Sequence, residues 1–253
     1  MNSADGTKKR LAPKETDAHP WTVDEFERLV FQCKPKVAVF DCDGTLWSGD
    51  AGRDFFYWEM ERGLVTPAVA EAMRARYKLY ESGEVGEEPM CAEMVTMNRG
   101  VSCEVLYRAA EEFFNDVVSR RIFPEMMELT RNLQQQGCEL WAVSSTNNWL
   151  VEVSAERFGI ARDHVLAACV HVDNGCATDR IQRVPTDELK AAAIREVIGR
   201  SVEAVFGNSI HDLAMLEMAK WPFCVNPNPD LQRLAKERGW PVYIPERLTS
   251  QTP

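Results

Sequence analysis

Hydrophobic residues follow two alternating patterns along most of this chain. Short continuous apolar runs are typical of strands buried on both faces of a parallel sheet, and they occur at residues 37–40, 139–143, 165–172, 202–206, 223–225 and 242–243. Segments with helical spacing separate them, at residues 22–33, 124–136, 148–158, 213–220 and 231–238 and in a helix capped by Thr186. The alternation predicts an α/β fold with a doubly wound, Rossmann-like parallel sheet.

The strand pattern stops after Trp47 for about seventy residues that have only helical spacing. Helices are predicted at residues 54–62, 67–80, 87–98 and 102–119, with joints at Gly63, Ser82-Gly83, Gly86 and Gly100. We therefore expect a helical cap domain inserted after the first strand. The expected division is a disordered segment at 1–20, a core domain at 21–47 and 120–253, and the cap at 48–119.

Two carboxylates follow the first buried strand directly, in the stretch KVAVFDCDGTLWSGD at residues 36–50. Ligands of open α/β sheets bind at the carboxyl ends of the strands, and a turn at Gly44 can bring Asp41 and Asp43 to one pocket. One acid can attack phosphorus while the other moves protons. Two close anions facing a phosphate require a divalent cation, for which Mg²⁺ suits the oxygen ligands. An acidic turn without chemistry is the alternative.

Three later segments carry further polar groups beside predicted strand ends or helix starts. Ser144 and Ser145 precede a helix, where hydroxyls and free amides bind phosphate oxygens, unless the serine is only an N-cap. Lys190 lies in the first turns of a helix and can neutralise a phosphoryl group, unless it is a solvated surface lysine. The segment FGNSIHDLAML sets Asn208 and Asp212 four residues apart as a metal bracket, unless Asp212 is only a helix N-cap.

The order of acid pair, serine, lysine and acid resembles the four motifs of the haloacid dehalogenase superfamily of phosphohydrolases, over residues 36–243. The segment DCDGT corresponds to the DxDG(T/S) signature of that superfamily. The resemblance implies that Asp41 is the nucleophile and Asp43 the general acid/base. The phosphate-binding residues that we assign from it are Gly44, Ser144, Ser145 and Lys190.

The resemblance also implies a Mg²⁺ site formed by Asp41, the main-chain oxygen of Asp43, Asn208 and Asp212. One position departs from the usual pattern, because Asn208 stands where the superfamily usually has Asp in its GDxxxD motif. An amide oxygen can ligate Mg²⁺ but removes one negative charge. We therefore predict weaker metal binding than in relatives with the acid.

The helical insertion and the segment ESGEV at residues 81–85 resemble the phosphoserine phosphatase branch. In that branch an acidic cap residue and a cap arginine hold the substrate's amino and carboxyl groups, and the resemblance gives the first role to Asp50. Met94 occupies the arginine position, with Arg99 the nearest later candidate. Losing that arginine removes a bidentate carboxylate contact, which makes phosphoserine doubtful as the substrate. We assign Asp50, Met94 and His211 to substrate binding, although His211 alone also suits a surface turn.

A cationic head group such as an amine is the other possibility for the substrate. Asp50 supplies charge, and Trp47, Tyr57 and Trp58 can supply cation–π contact. We expect, however, that these aromatic side chains mainly pack in the hydrophobic core of the cap.

Charge and cysteine content narrow the class of partner. The net charge of −10 without a basic stripe argues against a nucleic-acid partner. The eight cysteines have no CxxC or metal spacing and indicate reduced thiols in the cytoplasm. We expect no signal peptide or membrane span, because the first residues have no apolar core and no apolar run reaches the length of a span. We expect a small phosphorylated metabolite as the partner and a monomer or homodimer.

Three functions are consistent with these residues. The first is a Mg²⁺-dependent phosphatase of a small phosphomonoester. The second is a phosphomutase or phosphotransferase, which shares the first half-reaction and returns the phosphoryl group to another acceptor. The third is a non-catalytic ligand-binding protein, to which only Asn208 points. A dehalogenase is disfavoured because those relatives lack the second acid at Asp43.

Overall fold

The computed structural model describes residues 21–246, so the disorder predicted for 1–20 lies outside the described residues. The helices are α1 (Val23–Cys33), α2 (Ala51–Glu61), α3 (Pro67–Glu81), α4 (Glu87–Thr96), α5 (Cys103–Asp116), α6 (Pro124–Gln135), α7 (Asn148–Ala155), α8 (Asp187–Ile198), α9 (Leu213–Met218) and α10 (Pro229–Arg238). The strands are β1 (Val37–Phe40), β2 (Glu139–Asn147), β3 (Val165–Asp173), β4 (Cys176–Arg183), β5 (Ala204–Gly207), β6 (Trp221–Val225) and β7 (Val242–Tyr243).

The strands form one sheet in the order β4-β3-β2-β1-β5-β6-β7. All neighbours pair in parallel except β3 and β4, which form an antiparallel hairpin. The predicted α/β class with a mostly parallel, doubly wound sheet is confirmed. Because β1 lies between β2 and β5, the residues that follow it stand at the centre of the carboxyl edge of the sheet, where the strand order reverses.

Side chains of β1 alternate between two hydrophobic clusters, one on each face of the sheet. Ala38 and Phe40 belong to a cluster that includes residues of α1, α6 and α7, whereas Val37 and Val39 belong to a cluster with residues of α8, α9 and α10. All four side chains are fully buried. This two-sided burial explains why the strand appears in the sequence as a continuous apolar run.

The helices of the insertion have two different hydrophobic environments. Phe55 of α2 and Phe113 of α5 pack in the same cluster as α1, α6 and α7. A separate cluster joins α2 to α3 and α4, through Phe56, Met60, Val65, Met73, Tyr77, Val85 and Met90. Of the helices between residues 21 and 246, none has the length and apolar character needed to cross a membrane.

The loop between α4 and α5 is fastened to the β3–β4 hairpin by backbone hydrogen bonds. Gly100 donates to the carbonyl of Ala177 over 2.8 Å, and the amide of Ala177 donates to Val101 over 2.9 Å. The amide of Cys103 donates to the carbonyl of Gly175 over 2.8 Å. The hairpin turn contains Asn174 and Gly175 at positive φ, as a two-residue Asn-Gly hairpin turn requires. The inserted helices therefore have a covalent and a hydrogen-bonded attachment to the sheet.

Several predicted boundaries differ from the observed ones for local reasons. Strand β2 continues past Val143 to Asn147, because the polar residues after Val143 still pair with β3 across an irregularity between Ser144 and Asn147. The N-cap of α7 is Asn147, whose side chain accepts from the amide of Leu150, so no serine caps that helix. Thr186 occupies the N-cap position of α8 but makes no side-chain capping hydrogen bond.

Candidate active site

Three distant segments meet in a buried ion cluster at the carboxyl edge of the sheet. The Nζ atom of Lys190, in the first turn of α8, lies 2.8 Å from Oδ1 of Asp41, which follows β1. The same Nζ lies 2.6 Å from Oδ1 of Asp212, in the loop that follows β5. The side chains of Asp41, Lys190 and Asp212 are no more than 6% exposed. The predicted nucleophile, lysine and metal acid are therefore brought together, and Lys190 is not a surface lysine.

Asp212 is held from the opposite side by the backbone of its own loop. Its Oδ2 atom accepts hydrogen bonds from the amides of Asn208 over 2.8 Å and Ser209 over 3.0 Å. Gly207 allows this fold, because a Cβ atom there would lie 2.7 Å from the Cβ of Asp212. Asp212 occupies the N-cap position of α9 but makes no capping hydrogen bond to that helix. Its carboxylate instead faces Lys190.

Burial strengthens the electrostatic coupling within this cluster. Burial, followed by the negative charge of Asp212, raises the pKa of Asp41 to about 7, with Lys190 opposing the rise. For Lys190, burial alone would lower the pKa, but Asp212 and Asp41 together hold it above its ordinary value. The lysine therefore stays protonated and compensates one of the two acids.

Asp43 is fixed by donors on both of its carboxylate oxygens. Oδ1 accepts from the indole Nε1 of Trp47 over 2.7 Å and from the backbone amide of Ala51 over 2.7 Å. Oδ2 accepts from the hydroxyl of Thr146 over 2.9 Å. Burial raises the pKa of Asp43, and these donors act in the opposite direction, with the Ala51 amide first. The orientation of the predicted acid/base is set by residues from α2, β2 and its own loop.

The predicted turn at Gly44 has a left-handed backbone, with a φ of +80° that favours glycine. A Cβ atom there would collide with the side-chain amide Nδ2 of Asn208, so glycine also makes room for the predicted metal residue. The amide of Gly44 donates to the carbonyl of Trp47 over 2.7 Å. The hydroxyl of Thr45 donates to Oδ2 of Asp41 over 3.0 Å, which closes the loop around the predicted nucleophile.

The predicted serine site lies in the irregular end of β2. Ser144 is 2% exposed, and its Oγ accepts from the amide of Thr146 over 3.1 Å. Ser145 is partly buried. Both residues stand beside β1 in the sheet, on the same edge as Asp41. Their phosphate-binding role remains a prediction.

An oxygen-rich, negatively charged site suits the Mg²⁺ ion that the motifs predict. Asp41, Asp43 and Asp212 supply three carboxylates, whereas Lys190 is the positively charged side chain in contact with Asp41 and Asp212. Burying more acids than cations is costly, and a divalent cation relieves that cost. The residues that would hold the ion are Asp41, the main chain of Asp43, Asn208 and Asp212, all hard oxygen donors.

The predicted substrate residues lie on the cap side of the site and have structural contacts of their own. Asp50 is exposed and caps α2, accepting from the amide of Arg53 over 2.8 Å. Met94 is partly buried against the cluster of α2, α3 and α4. Arg99 pairs with Asp179 of the hairpin at 2.7 Å. Neither position therefore supplies the arginine contact of the phosphoserine phosphatase branch.

His211 joins the cap to the core. Its Nδ1 lies 2.7 Å from Oε2 of Glu87 at the start of α4, and 2.7 Å from Oδ1 of Asp187 at the start of α8. The adjacent carboxylate of Glu87 raises the pKa of His211 to about 9, with burial opposing the rise and the hydrogen-bonded Asp187 adding to it. The ligand atoms of these three residues lie within 4.8 Å of one another. His211 therefore contacts two carboxylates, one from α4 of the cap and one from α8, the helix that carries Lys190.

The aromatic side chains that were candidates for cation–π contact pack in hydrophobic clusters. Trp47 is fully buried and uses its indole nitrogen on Asp43. Tyr57 contacts Phe56 and Tyr77 edge to face, and Trp58 stacks on Phe55. Core packing accounts for these aromatic residues.

Several residues that complete the site were not predicted in these roles from the sequence. Thr146 and Trp47 orient Asp43, and Glu87 and Asp187 flank His211. The spacing of Trp47 four residues after Asp43 is a signal for a returning contact within a turn. Gly52 offers no such signal, yet a Cβ atom there would collide with Oγ1 of Thr146.

Comparisons with known proteins agree with this architecture. The family model of the haloacid dehalogenase-like hydrolases matches residues 38–217, which include every predicted motif. A solved structure of a Bordetella pertussis Tohama I protein of unknown function is similar, with a TM-score of 0.71 and 25% identity, over 82% of this chain and 97% of that one.

Several curated relatives have phosphatase names. A histidinol-phosphatase of Neisseria meningitidis serogroup C is 26% identical over 215 residues, covering 81% of this chain and 97% of the relative. The phosphoserine phosphatase SerB1 of Mycobacterium tuberculosis is 24% identical over 216 residues, covering 81% of this chain and 70% of the relative. The resemblance seen in the motifs is thus confirmed, and the chain belongs to the haloacid dehalogenase-like hydrolase family.

Proposed function

We propose that this protein is a Mg²⁺-dependent phosphatase that hydrolyses a small phosphomonoester through an aspartyl-phosphate on Asp41. The observation that carries the proposal is the buried contact of Lys190 with both Asp41 and Asp212, next to an Asp43 whose two oxygens are fixed. The family match and the phosphatase names of both relatives support the same reaction class, phosphoric monoester hydrolysis.

The first half-reaction transfers the phosphoryl group to the enzyme. A carboxylate oxygen of Asp41 forms a bond to phosphorus while the ester P–O bond breaks, and Asp43 gives its proton to the departing alcohol oxygen. Lys190 and Thr45 hold the two oxygens of Asp41 and limit its rotation, which favours in-line attack. When bound, Mg²⁺ would neutralise charge that develops on the phosphoryl oxygens.

The second half-reaction releases phosphate. Asp43, now ionised, takes a proton from a water molecule, whose oxygen attacks phosphorus as the bond to Asp41 breaks. We assign Gly44, Ser144, Ser145 and Lys190 to the phosphoryl oxygens during both steps. The positive charge of Lys190 is already in contact with Oδ1 of Asp41, so it can stabilise negative charge next to the transferred group without moving.

We further propose that the substrate carries a cationic group. Asp50 and Glu87 of the cap and Asp187 of α8 lie near the hydroxyl of Tyr80, whose pKa is raised first by burial and then by these negative charges. The protonated imidazole of His211 compensates one of the three carboxylates, which leaves an excess of negative charge. Met94 replaces the arginine that would bind a substrate carboxylate. The relative named histidinol-phosphatase supports an amine-bearing ester as a probe. Attraction to these acids would select a cation over a second anion.

The test is phosphate release from histidinol phosphate, phosphoethanolamine, phosphoserine and p-nitrophenyl phosphate with Mg²⁺, beside the variant Asp41→Asn. We expect release from the wild type that the variant abolishes, and a preference for histidinol phosphate and phosphoethanolamine, the two esters that carry an amine and no carboxylate. An isomerised ester or a transferred phosphoryl group without free phosphate would replace the proposal by a phosphomutase or phosphotransferase. Binding without any turnover, unaffected by Asp41→Asn, would indicate a non-catalytic ligand-binding protein.

We also propose that the protein acts in the cytoplasm as a monomer or homodimer. All eight cysteines are free thiols, which supports a reducing compartment. Light scattering after size-exclusion chromatography would give the molecular mass, and a species larger than two chains would contradict the proposal.

A further inference from the structure

The two oxygens of Asp43 have chemically different partners. Oδ1 accepts from the indole N–H of Trp47 and the amide N–H of Ala51, which are donors only. Oδ2 accepts from the hydroxyl of Thr146, which lies 2.9 Å away. A proton on Oδ1 would face two other protons and break both hydrogen bonds. Oδ2 is therefore the oxygen that can carry the proton which a general acid delivers.

From this geometry we infer that Thr146 is a positioning residue, which holds Oδ2 of Asp43 so that its proton reaches the leaving oxygen of the substrate. The inference rests on the proposed phosphatase function and adds a residue that the four sequence motifs do not include. Its hydroxyl donates to one lone pair of Oδ2 and leaves the other for the proton. That contact keeps the same geometry whether Asp43 is protonated or ionised.

The surrounding backbone fixes the threonine hydroxyl at this point. Thr146 lies where the pairing of β2 with β3 becomes irregular, and such irregularities re-aim a side chain next to an active site. Its amide donates a hydrogen bond to the hydroxyl of Ser144, and the residue is 7% exposed. On the other side, α2 approaches so closely at Gly52 that a Cβ atom would collide with the threonine Oγ1. The hydroxyl consequently has little freedom to turn away from Asp43.

The role assigned to Thr146 has a specific chemical signature. In the first half-reaction the proton on Oδ2 moves to the ester oxygen as the P–O bond breaks, and an alcohol leaving group depends on that proton. A p-nitrophenolate leaving group is stable as an anion and departs without it. Misplacing Oδ2 should therefore impair alkyl esters far more than p-nitrophenyl phosphate, whereas a general loss of structure would impair both equally.

The experiment compares Thr146→Val, which is nearly isosteric, with Thr146→Ser, which keeps the hydroxyl. The readout is kcat/KM, because it reports the first half-reaction, for the best alkyl ester of the panel and for p-nitrophenyl phosphate. We expect Thr146→Val to lower kcat/KM for the alkyl ester by about 100-fold and for p-nitrophenyl phosphate by less than about threefold. Thr146→Ser should restore most of the alkyl-ester rate. If Thr146→Val does not fold, Thr146→Ala carries the same comparison.

Equal losses on the two esters, or no loss on either, would overturn the role of Thr146 while leaving the phosphatase function intact. Failure of Thr146→Ser to recover the alkyl-ester rate would overturn it as well. A wild type that releases no phosphate from any ester would instead overturn the proposed function, and the role of Thr146 with it. The Asp41→Asn control separates these cases, because it removes turnover of both esters without touching Asp43.

Discussion

The Nζ atom of Lys190 lies 2.6 Å from Oδ1 of Asp212, and neither side chain is more than 4% exposed. A buried ion pair contributes little net stability compared with apolar packing, but removing one partner leaves an uncompensated charge in a low-dielectric interior. The pair also lies at the proposed catalytic centre, because the same Nζ contacts Asp41. The stability of the fold and the proposed catalytic chemistry thus both depend on the Nζ amine of Lys190.

Replacing that amine should destabilise the protein and stop turnover. Lys190→Met keeps a long unbranched side chain but leaves Asp41 and Asp212 without their cation, so we expect a loss of about 3 kcal/mol in the free energy of unfolding. We expect kcat to fall by at least about 100-fold. Urea unfolding with EDTA measures the first effect and phosphate release the second. A variant as stable as the wild type would contradict the assigned charge balance.

Asn208→Asp should tighten Mg²⁺ binding. The change restores a negative charge beside Gly44 in the predicted metal site, and one added carboxylate should lower the Mg²⁺ Kd by about tenfold. Without metal the extra acid is repelled by Asp41 and Asp212, so the apoprotein should lose about 1 kcal/mol of stability. Calorimetric titration with Mg²⁺ and unfolding in EDTA test the two effects, with Asn208→Ala as the control that weakens binding. An unchanged Kd in Asn208→Asp would count against Asn208 as a ligand.

The strands and the members of the buried ion cluster could be predicted from the sequence, because each depends on a local pattern. A continuous apolar run marks β1, and Asp41, Lys190 and Asp212 follow or open regular elements whose ends share one edge of the sheet. The end of β2 could not be predicted in this way. Hydroxyl and amide residues are common in loops, yet Ser144 and Asn147 pair with β3 in the folded sheet.

Contacts between side chains from different elements are the part that local patterns do not contain. Thr146 contacts Asp43 across 103 positions of sequence, because β1 and β2 pair in parallel and the residues at their carboxyl ends become neighbours. The meeting of Glu87, Asp187 and His211 likewise depends on how the inserted helices sit over the sheet. Such contacts follow from tertiary packing. The sequence therefore predicts the proposed catalytic acids but not the side chains that orient them.

Gly52→Ala should impair the proposed proton transfer without unfolding the protein. Alanine in a helix is favoured over glycine by about 1 kcal/mol, and Gly52 has no positive φ that an alanine would strain. The new methyl group, however, would displace the hydroxyl of Thr146. We expect a selective loss of kcat/KM on alkyl esters that is not additive with Thr146→Val. Additive losses in the double variant would show that the two residues act independently.

Glu59→Gln should stabilise the protein at neutral pH. Glu59 is 1% exposed, and burial raises its pKa well above the ordinary value of 4.5, with the hydrogen bond from Asn98 opposing. The folded state therefore binds a proton that the unfolded state releases, so wild-type stability falls as pH rises from 4.5 toward the folded pKa. Gln removes this penalty, and we expect a gain of about 2 kcal/mol at pH 7 that disappears below the unfolded pKa.

Asn98 provides a structural reason for the same result. Its Nδ2 donates to Oε1 of Glu59 over 3.2 Å, while its Oδ1 has no hydrogen-bond partner among residues 21–246. A glutamine can accept at one atom and donate at the other. Thermal unfolding of wild type and Glu59→Gln across acid and neutral pH measures the difference. A gain that grows toward low pH would have the wrong sign and would contradict a neutral Glu59.

Glu87→Gln should weaken the preference for a cationic substrate. The change removes one carboxylate from the cap side of the site but keeps a group that can contact His211. We expect kcat/KM for the amine-bearing ester to fall about tenfold while that for p-nitrophenyl phosphate changes little. The conservative variant Glu87→Asp serves as the control that retains charge. An equal change on both esters would indicate that Glu87 acts on the fold of the cap and not on the substrate.

The hydrogen bonds between the α4–α5 loop and the β3–β4 hairpin restrict how the inserted helices could rotate relative to the sheet. They tether the C-terminal end of α4 to the sheet, so a rigid rotation of α3 and α4 has its pivot at Gly100 and Val101. Glu87 lies at the far end of this ten-residue lever arm, which is about 15 Å long. A rotation of about 10° would move that tip by about 3 Å, which would break the contact between Glu87 and His211.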